Sequence, residues 1–252
     1  MNAQQHPLVS LARRFTVDWL CSADDSVLPS IMTPAYKVHI GGIELAGLEV
    51  YAPATMGQLQ QFPGLGLTIH EVVTDGDRLC LHFTEHGAST KHELRVAAWR
   101  GIALFTWDGT RLTENWTQED YLSRREQLAT GAVVPIPAPA PAPWSTVPQP
   151  SNGPAEALVR SWLSAPDLSS LEVDGADGGS LPLIVEGVSV DVLFSAGATV
   201  CFAATWLGTT EDTTGQPATL GVAGLVRVQG GQVLGGSLVT DRLGLQRRRT
   251  PR

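Results

Sequence analysis

Apolar residues near the start of the chain fall at helical spacing. Leu8, Leu11, Phe15 and Trp19 recur every three or four positions and give an amphipathic helix one buried face. From residue 67 the period changes to two. Residues 67–74, 78–85, 95–107 and 111–120 alternate in the manner of antiparallel strands, with turns at Asp75-Gly76 and Asp108-Gly109. Before them, Tyr36 to Ile40 reads as a first strand and Leu48 to Gln60 as a short helix. The same order then returns. Ala157, Leu158 and Trp162 mark a second amphipathic helix, and residues 188–195, 199–206, 219–228 and 232–240 a second set of strands.

The two halves align residue by residue. A constant shift of 121 positions places Gly76 on Gly197, Cys80 on Cys201, Thr84 on Thr205, Leu104 on Leu225, Asp120 on Asp241 and Leu122 on Leu243, without a gap. Trp19-Leu20 with Asp24 matches Trp162-Leu163 with Asp167 at a shift of 143, so the second half lacks 22 residues that fall within 32–66 of the first, and with them the first strand. Between the halves lie eight of the seventeen prolines, five of them alternating from Pro135 to Pro143. Such a run has few backbone donors and favours an extended conformation, which makes it a spacer rather than an element. The expected domains are therefore 1–131, a linker at 132–154, a shortened second copy at 155–246, and a solvated basic tail at 247–252 carrying Arg247, Arg248, Arg249 and Arg252. A helix followed by a curved meander gives an α+β cone, with helices over the concave face of the sheet and a pocket between them.

Composition narrows the partners. A net charge of -8 and only two lysines argue against a nucleic-acid backbone as ligand. No apolar run is long enough to span a membrane, and the first residues lack a secretory pattern, so the chain reads as cytoplasmic. Cys21, Cys80 and Cys201 form no CxxC pair and read as buried free thiols. All six histidines lie within the first 92 residues, which places any proton-transfer chemistry in the first half.

The first half resembles the SnoaL-like polyketide cyclases, a branch of the nuclear transport factor two-like (cystatin-like) superfamily. The resemblance is carried by Leu67 to Val73 leading into Gly76-Asp77-Arg78, by the strand Gly101 to Phe105, and by the closing pattern Asp108-Gly109, Leu112, Glu114, Trp116 and Asp120. It covers about 120 residues of the first half and, more faintly, about 90 of the second. It implies two tandem cone-shaped sheets packed as an internal pseudo-dimer, itself able to dimerise further. The implied activity is cofactor-free cyclisation or isomerisation of a small, polyketide-like molecule. Epoxide opening on the same fold and a non-catalytic binding module are the alternatives.

In the family the closing-strand aspartate, which Asp120 resembles, is the general acid/base. Alternation places Glu114, Trp116, Gln118 and Asp120 on one strand face, and that face is expected to be the concave one. Asp120 equally suits the cap of a helical turn at 121–127. His82, with Cys80 and Thr84 on the polar face of its strand, is the expected partner in proton transfer; His39 is the second candidate, and His70 serves if its strand has the opposite register. Trp116, Gln118, Trp99, Tyr36 and His70 are expected to line the substrate pocket, the tryptophans either stacking a flat substrate or filling the core. For epoxide opening the two acids would be Asp120 with Glu114 or Glu71. His6, His86 and His92 read as solvated. No spacing suggests a metal site or a cofactor motif, and Glu85-His86 and His92-Glu93 read as loop.

Overall fold

In a computed structural model, which describes residues 5–174, 182–210 and 215–249, the opening stretch is helical but changes register. Helix α1 (Pro7–Arg14) starts with proline, where a missing N–H costs nothing, and runs directly into a π-helical stretch, Phe15–Cys21. The wider turn brings Phe15, Thr16, Trp19 and Leu20 all inward. Trp19 Nε1 donates to Tyr51 Oη at 3.1 Å, fixing the indole. Then follow α2 (Leu28–Ile31), β1 (Met32–Ile40), β2 (Ile43–Ala46), α3 (Leu48–Gln61), β3 (Gly66–Thr74), β4 (Arg78–Ser89), β5 (Arg95–Trp107), β6 (Leu112–Glu119) and α4 (Tyr121–Thr130).

These strands make one six-stranded sheet in the order β2-β1-β6-β5-β4-β3. The meander is antiparallel as its alternation predicts, but β1 pairs with β6 in parallel. Strand β2 extends the edge beside β1; its four residues are too few and too exposed to register as alternation. Strand β3 bulges at His70, which skips a partner on β4 and bends the sheet. The α1–π segment and α3 pack on one face, over a core that includes Leu8, Trp19, Tyr36, Phe62, Leu79 and Phe105.

The second half has α5 (Gly153–Trp162), β7 (Leu171–Val173), β8 (Leu183–Ala196), β9 (Thr199–Thr210), β10 (Pro217–Gln229), β11 (Gln232–Thr240) and α6 (Arg242–Arg249). Its five strands run β7-β11-β10-β9-β8. Here the sequence expectation needs correcting: the first strand is not lost. The three-residue β7 pairs in parallel with β11, as β1 does with β6. Strand β8 bulges at Asp191, 121 positions after His70. Arg247, expected in a frayed tail, belongs to α6, as do positions 248 and 249; Arg252 lies outside the described residues. Among the described residues no helix is long and apolar enough to cross a membrane.

The proline-rich segment is extended but not free. Ala140 N donates to Ile69 O (2.8 Å), Thr146 Oγ1 to Val72 O (3.4 Å) and Gln149 N to Thr74 O (3.0 Å), so the segment straps the outer edge of β3. Farther along, Pro150 O accepts from Gly197 N (2.8 Å) and ties the strap to the second sheet.

The two sheets pack through the faces their helices leave open. Val73, Cys80, Ile102 and Leu104 of the first meet Phe194, Cys201, Ala223 and Leu225 of the second, each the residue 121 positions on. Arg125 Nη2 donates to Gln246 Oε1 at 3.0 Å, another pair 121 apart. Ion pairs ring this layer: Arg242 with Asp120 (2.6 Å), Arg100 with Glu172 (2.9 Å) and Asp174 (3.4 Å), and Arg227 with Glu71 (2.8 Å). Both faces of the first sheet are thus covered.

Candidate functional site

Under α3 and the π-helical stretch the first sheet keeps a cavity of about 160 Å³. Its walls are mostly hydrocarbon: Phe15 and Leu20 from the π-helical stretch, Val38, Ile40 and Leu45 from the β1–β2 hairpin, Leu81, Phe83 and Phe105 from the meander. Polar groups collect at Glu85 of β4, Asn115, Thr117 and Glu119 of β6, Gln58 of α3 and Tyr121 at the start of α4. Strand alternation explains this. Leu79, Leu81 and Phe83 form the apolar stripe of β4, and Glu85 is the next residue on the same face.

The carboxyls of Glu85 and Glu119 are buried and hydrogen-bonded to each other. Burial pushes both above the usual carboxylate range, Glu85 farthest because the neighbouring Glu119 charge adds to its desolvation. A proton shared between the two carboxyls relieves the repulsion that two buried charges would suffer. Glu119 in turn accepts from Trp99 Nε1 (2.8 Å) and from the Tyr121 hydroxyl. Gln58 Nε2 donates to Glu85 Oε2 (3.0 Å), and Gln58 Oε1 accepts from Arg124 Nη1 (3.3 Å). The Arg124 guanidinium lies over the rings of Tyr121 (4.2 Å), Trp99 (4.9 Å) and Phe62 (5.6 Å). Its charge lowers both carboxyls, which opposes a second proton on the pair. The arrangement holds two carboxyls side by side at the polar end of a cavity with mostly hydrocarbon walls.

The face assigned from sequence to the pocket is inverted in the structure. Asn115, Thr117 and Glu119 of β6 line the cavity, whereas Trp116 and Gln118 point to the inter-sheet layer. The same holds on β4, where Phe83 and Glu85 line the cavity and His82 does not. Asp120 caps α4, accepting from Ser123 N (3.1 Å), and its two oxygens accept from Arg242 Nη2. His82 is buried on the opposite face, its ring 5.1 Å from that of His70; desolvation, then the charges of His70, Arg100 and Arg227, lower its pKa to about 3. His70 is held by Thr84 Oγ1 (2.7 Å) and the strap carbonyl of Ala138 (3.1 Å). His39 stacks on Trp116 and pairs with Glu114 (2.7 Å). With Gln118, Asp191 and Asp241 these two line a polar recess of about 300 Å³ between the sheets. Tyr36 is buried in the core against Tyr51. Trp99 does reach the cavity's carboxyls, through its N–H, but as a donor to Glu119 and not as a stacking surface.

Sequence reasoning gives Glu85 and Glu119 no role, because it chooses the pocket face by polarity. Since the second sheet buries the other face, polarity could not discriminate. A usable signal existed on β4 alone, where Glu85 continues the apolar stripe of Leu79, Leu81 and Phe83; Glu119 follows the polar Asn115 and Thr117 on its face of β6. Glu85 also belongs to strand β4, which continues to Ser89 where a loop was expected. Among the described residues no group of three or more His, Cys, Asp or Glu side chains could hold a metal ion.

The SnoaL-like domain family matches residues 13–115. Among solved structures, the chain is similar to a protein described as a SnoaL-like polyketide cyclase from Jannaschia sp. CCS1, at 18% identity, 52% coverage of this chain and 96% of that one, and a TM-score of 0.46. A protein described as a polyketide cyclase from Acidithiobacillus ferrooxidans is 21% identical over 52% of this chain and 100% of that one, with a TM-score of 0.45. TsrD from Streptomyces laurentii is 21% identical over 50% and 98%, with a TM-score of 0.44. No curated protein sequence matches the chain. Family match, six-stranded curved sheet and helical cover coincide over one stretch of chain: residues 13–115 are a SnoaL-like domain.

Proposed function

We propose that the first half, residues 1–131, is a cofactor-free acid–base catalyst that closes a ring in, or isomerises, a small carbonyl compound of a natural-product pathway. The observation that carries this reading is the Glu85–Glu119 pair, one proton between two carboxyls at the polar end of an apolar cavity. In the proposed step the Glu119 carboxylate removes a proton from the carbon beside a carbonyl. Glu85 gives its proton to the carbonyl oxygen, leaving a neutral enol and a pair whose total charge is unchanged. The enol then attacks a second carbonyl, its O–H proton returning to Glu85 while Glu119 protonates the new alkoxide oxygen, or it takes the Glu119 proton at another carbon while Glu85 recovers its own from the enol oxygen; either way the pair ends as it began. Trp99 and Tyr121 keep Glu119 oriented, and Arg124 keeps the pair singly protonated.

The proton-transfer roles first expected of Asp120, His82 and His39 pass to these two glutamates. Asp120 then serves as cap and ion-pair partner. The same pair also suits epoxide opening, with Glu119 activating the attacking hydroxyl or water and Glu85 protonating the oxirane oxygen. Incorporation of labelled water into a diol separates the two. The second half, which repeats the first at a shift of 121, is proposed as the packing partner of an internal pseudo-dimer whose own helical face is not used for chemistry. Cytoplasmic residence follows the same proposal.

The test is deuterium wash-in at the α-carbon of cyclic ketones in D2O. The intact chain is expected to accelerate exchange, and Glu119→Gln and Glu85→Gln to reduce that acceleration by at least about 100-fold, the usual scale of general acid–base catalysis. Equal exchange by the double variant would exclude the pair as the reacting groups.

A further inference from the structure

The cavity's size and one wall residue limit what it can hold. Its volume is about 160 Å³. A dry protein cavity of about 150 Å³ is known to take benzene, so a molecule of about six or seven heavy atoms fills this one. No indole lines it, so nothing offers a broad flat surface for a fused aromatic system. The limiting wall is Phe83. It lies directly across from Gly101 in the sheet register, and a Cβ at Gly101 would collide with the Phe83 ring. The ring is therefore laid down on the glycine, and the space above it is the space the cavity has. Gly101 has no positive φ, so its backbone would accept alanine and only the ring would have to move, toward the cavity.

We infer that the ligand is a single-ring-sized, mainly hydrocarbon molecule with one oxygen function directed at Glu85 and Glu119, and that Phe83 seated on Gly101 sets this size limit. The inference rests on the proposed function for the direction of the oxygen alone; the size limit is a property of the walls. It departs from the multi-ring substrates that a polyketide-like assignment brings with it. Fused three-ring ketones exceed the volume, and the Phe83 ring is backed directly by Gly101 of the neighbouring strand.

The experiment measures binding to the full chain by ligand-observed NMR, using cyclohexanone, 1-tetralone and 9-fluorenone, with the helical signal of each variant checked by circular dichroism. The expected order is cyclohexanone tighter than fluorenone by at least tenfold, the reverse of their hydrophobicity. Phe83→Leu is expected to bring 1-tetralone within threefold of cyclohexanone. Gly101→Ala is expected to weaken cyclohexanone at least fivefold. Fluorenone binding as tightly as cyclohexanone, no binding of any ketone at millimolar concentration, or an unchanged size order in Phe83→Leu each overturns the inference. Should Gly101→Ala not fold, Phe83→Leu decides. Because these are binding measurements, they separate from the catalytic reading: a correct size order without deuterium exchange sinks the proposed reaction and leaves the size limit standing, and exchange without a size order does the converse.

Discussion

A carboxyl keeps its proton near neutral pH when water is excluded and a neighbour gains from the proton, and Glu85 meets both conditions. His82 shows the opposite effect of burial. Its folded pKa of about 3 lies below the ordinary histidine value, so between about pH 6.5 and 3 the unfolded chain binds a proton that the folded one does not. The stability tied to neutral His82 is complete above about pH 6.5 and falls as the pH drops toward 3. Glu85 and Glu119 act with the other sign, since the folded state binds more protons above the ordinary carboxylate range and loses stability as pH rises. We expect His82→Leu to flatten the acid limb of a urea-unfolding profile by about 2 kcal/mol or more at pH 4, and to leave pH 8 nearly unchanged. An acid limb as steep as the wild type would mean that His82 is not the group that titrates. What the sequence showed at this scale was chemistry without side. His82, His39, Asp120 and Trp116, the residues expected to react or to line the pocket, each make specific polar or ring contacts. They belong to the layer between the sheets, and a single alternating strand does not tell which of two buried faces encloses a cavity.

At the scale of elements the long strands were legible nearly to the residue. Strands β5 and β11 have the expected bounds, since their period-two patterns are long and end in Gly-containing turns. The elements that escaped were short or irregular: β2 and β7 have too few residues for a period, and the π-helical register of Phe15–Cys21 differs from an α-helix by less than one residue per turn. Parallel pairing of β1 with β6 is a long-range choice that neither strand encodes alone. The proline strap illustrates the same gap. Its composition correctly gives an extended segment, while its docking depends on the free carbonyls of edge strand β3. Prolines suit that position, because they occupy an exposed edge without offering a new one. Replacing the five alternating prolines by serine or glycine should cost about 2 kcal/mol, mainly by loosening the unfolded chain. It should also speed amide exchange in β3 relative to β5. Unchanged stability and exchange would show that the strap contributes nothing to the edge.

Across the whole molecule the proposed pseudo-dimer accounts for which residues meet between the sheets. In a two-fold dimer, residues on the axis meet their own counterparts. Here Cys80 meets Cys201 and Arg125 meets Gln246, each pair 121 positions apart. The proposed pseudo-dimer implies that residues 1–131 alone expose the apolar face of Val73, Cys80, Ile102 and Leu104. That fragment should dimerise or precipitate on size-exclusion chromatography with light scattering, whereas the full chain should not associate through this face. A monodisperse, equally stable fragment would contradict the packing role of the second half. The covering of that face also bears on the proposed chemistry, since Asp120 and His82 are buried between the sheets whereas Glu85 and Glu119 face the apolar cavity.

The most direct test of that central claim compares the two sides of one strand. Deuterium wash-in into cyclohexanone is measured for the intact chain, Glu119→Gln and Asp120→Asn, at a temperature where all three are folded. The expected result is loss of acceleration by at least about 100-fold in Glu119→Gln, with Asp120→Asn within about threefold of the wild type despite a lower Tm from its broken pair with Arg242. Exchange retained in Glu119→Gln and lost in folded Asp120→Asn would contradict the account and return the reaction to the layer between the sheets.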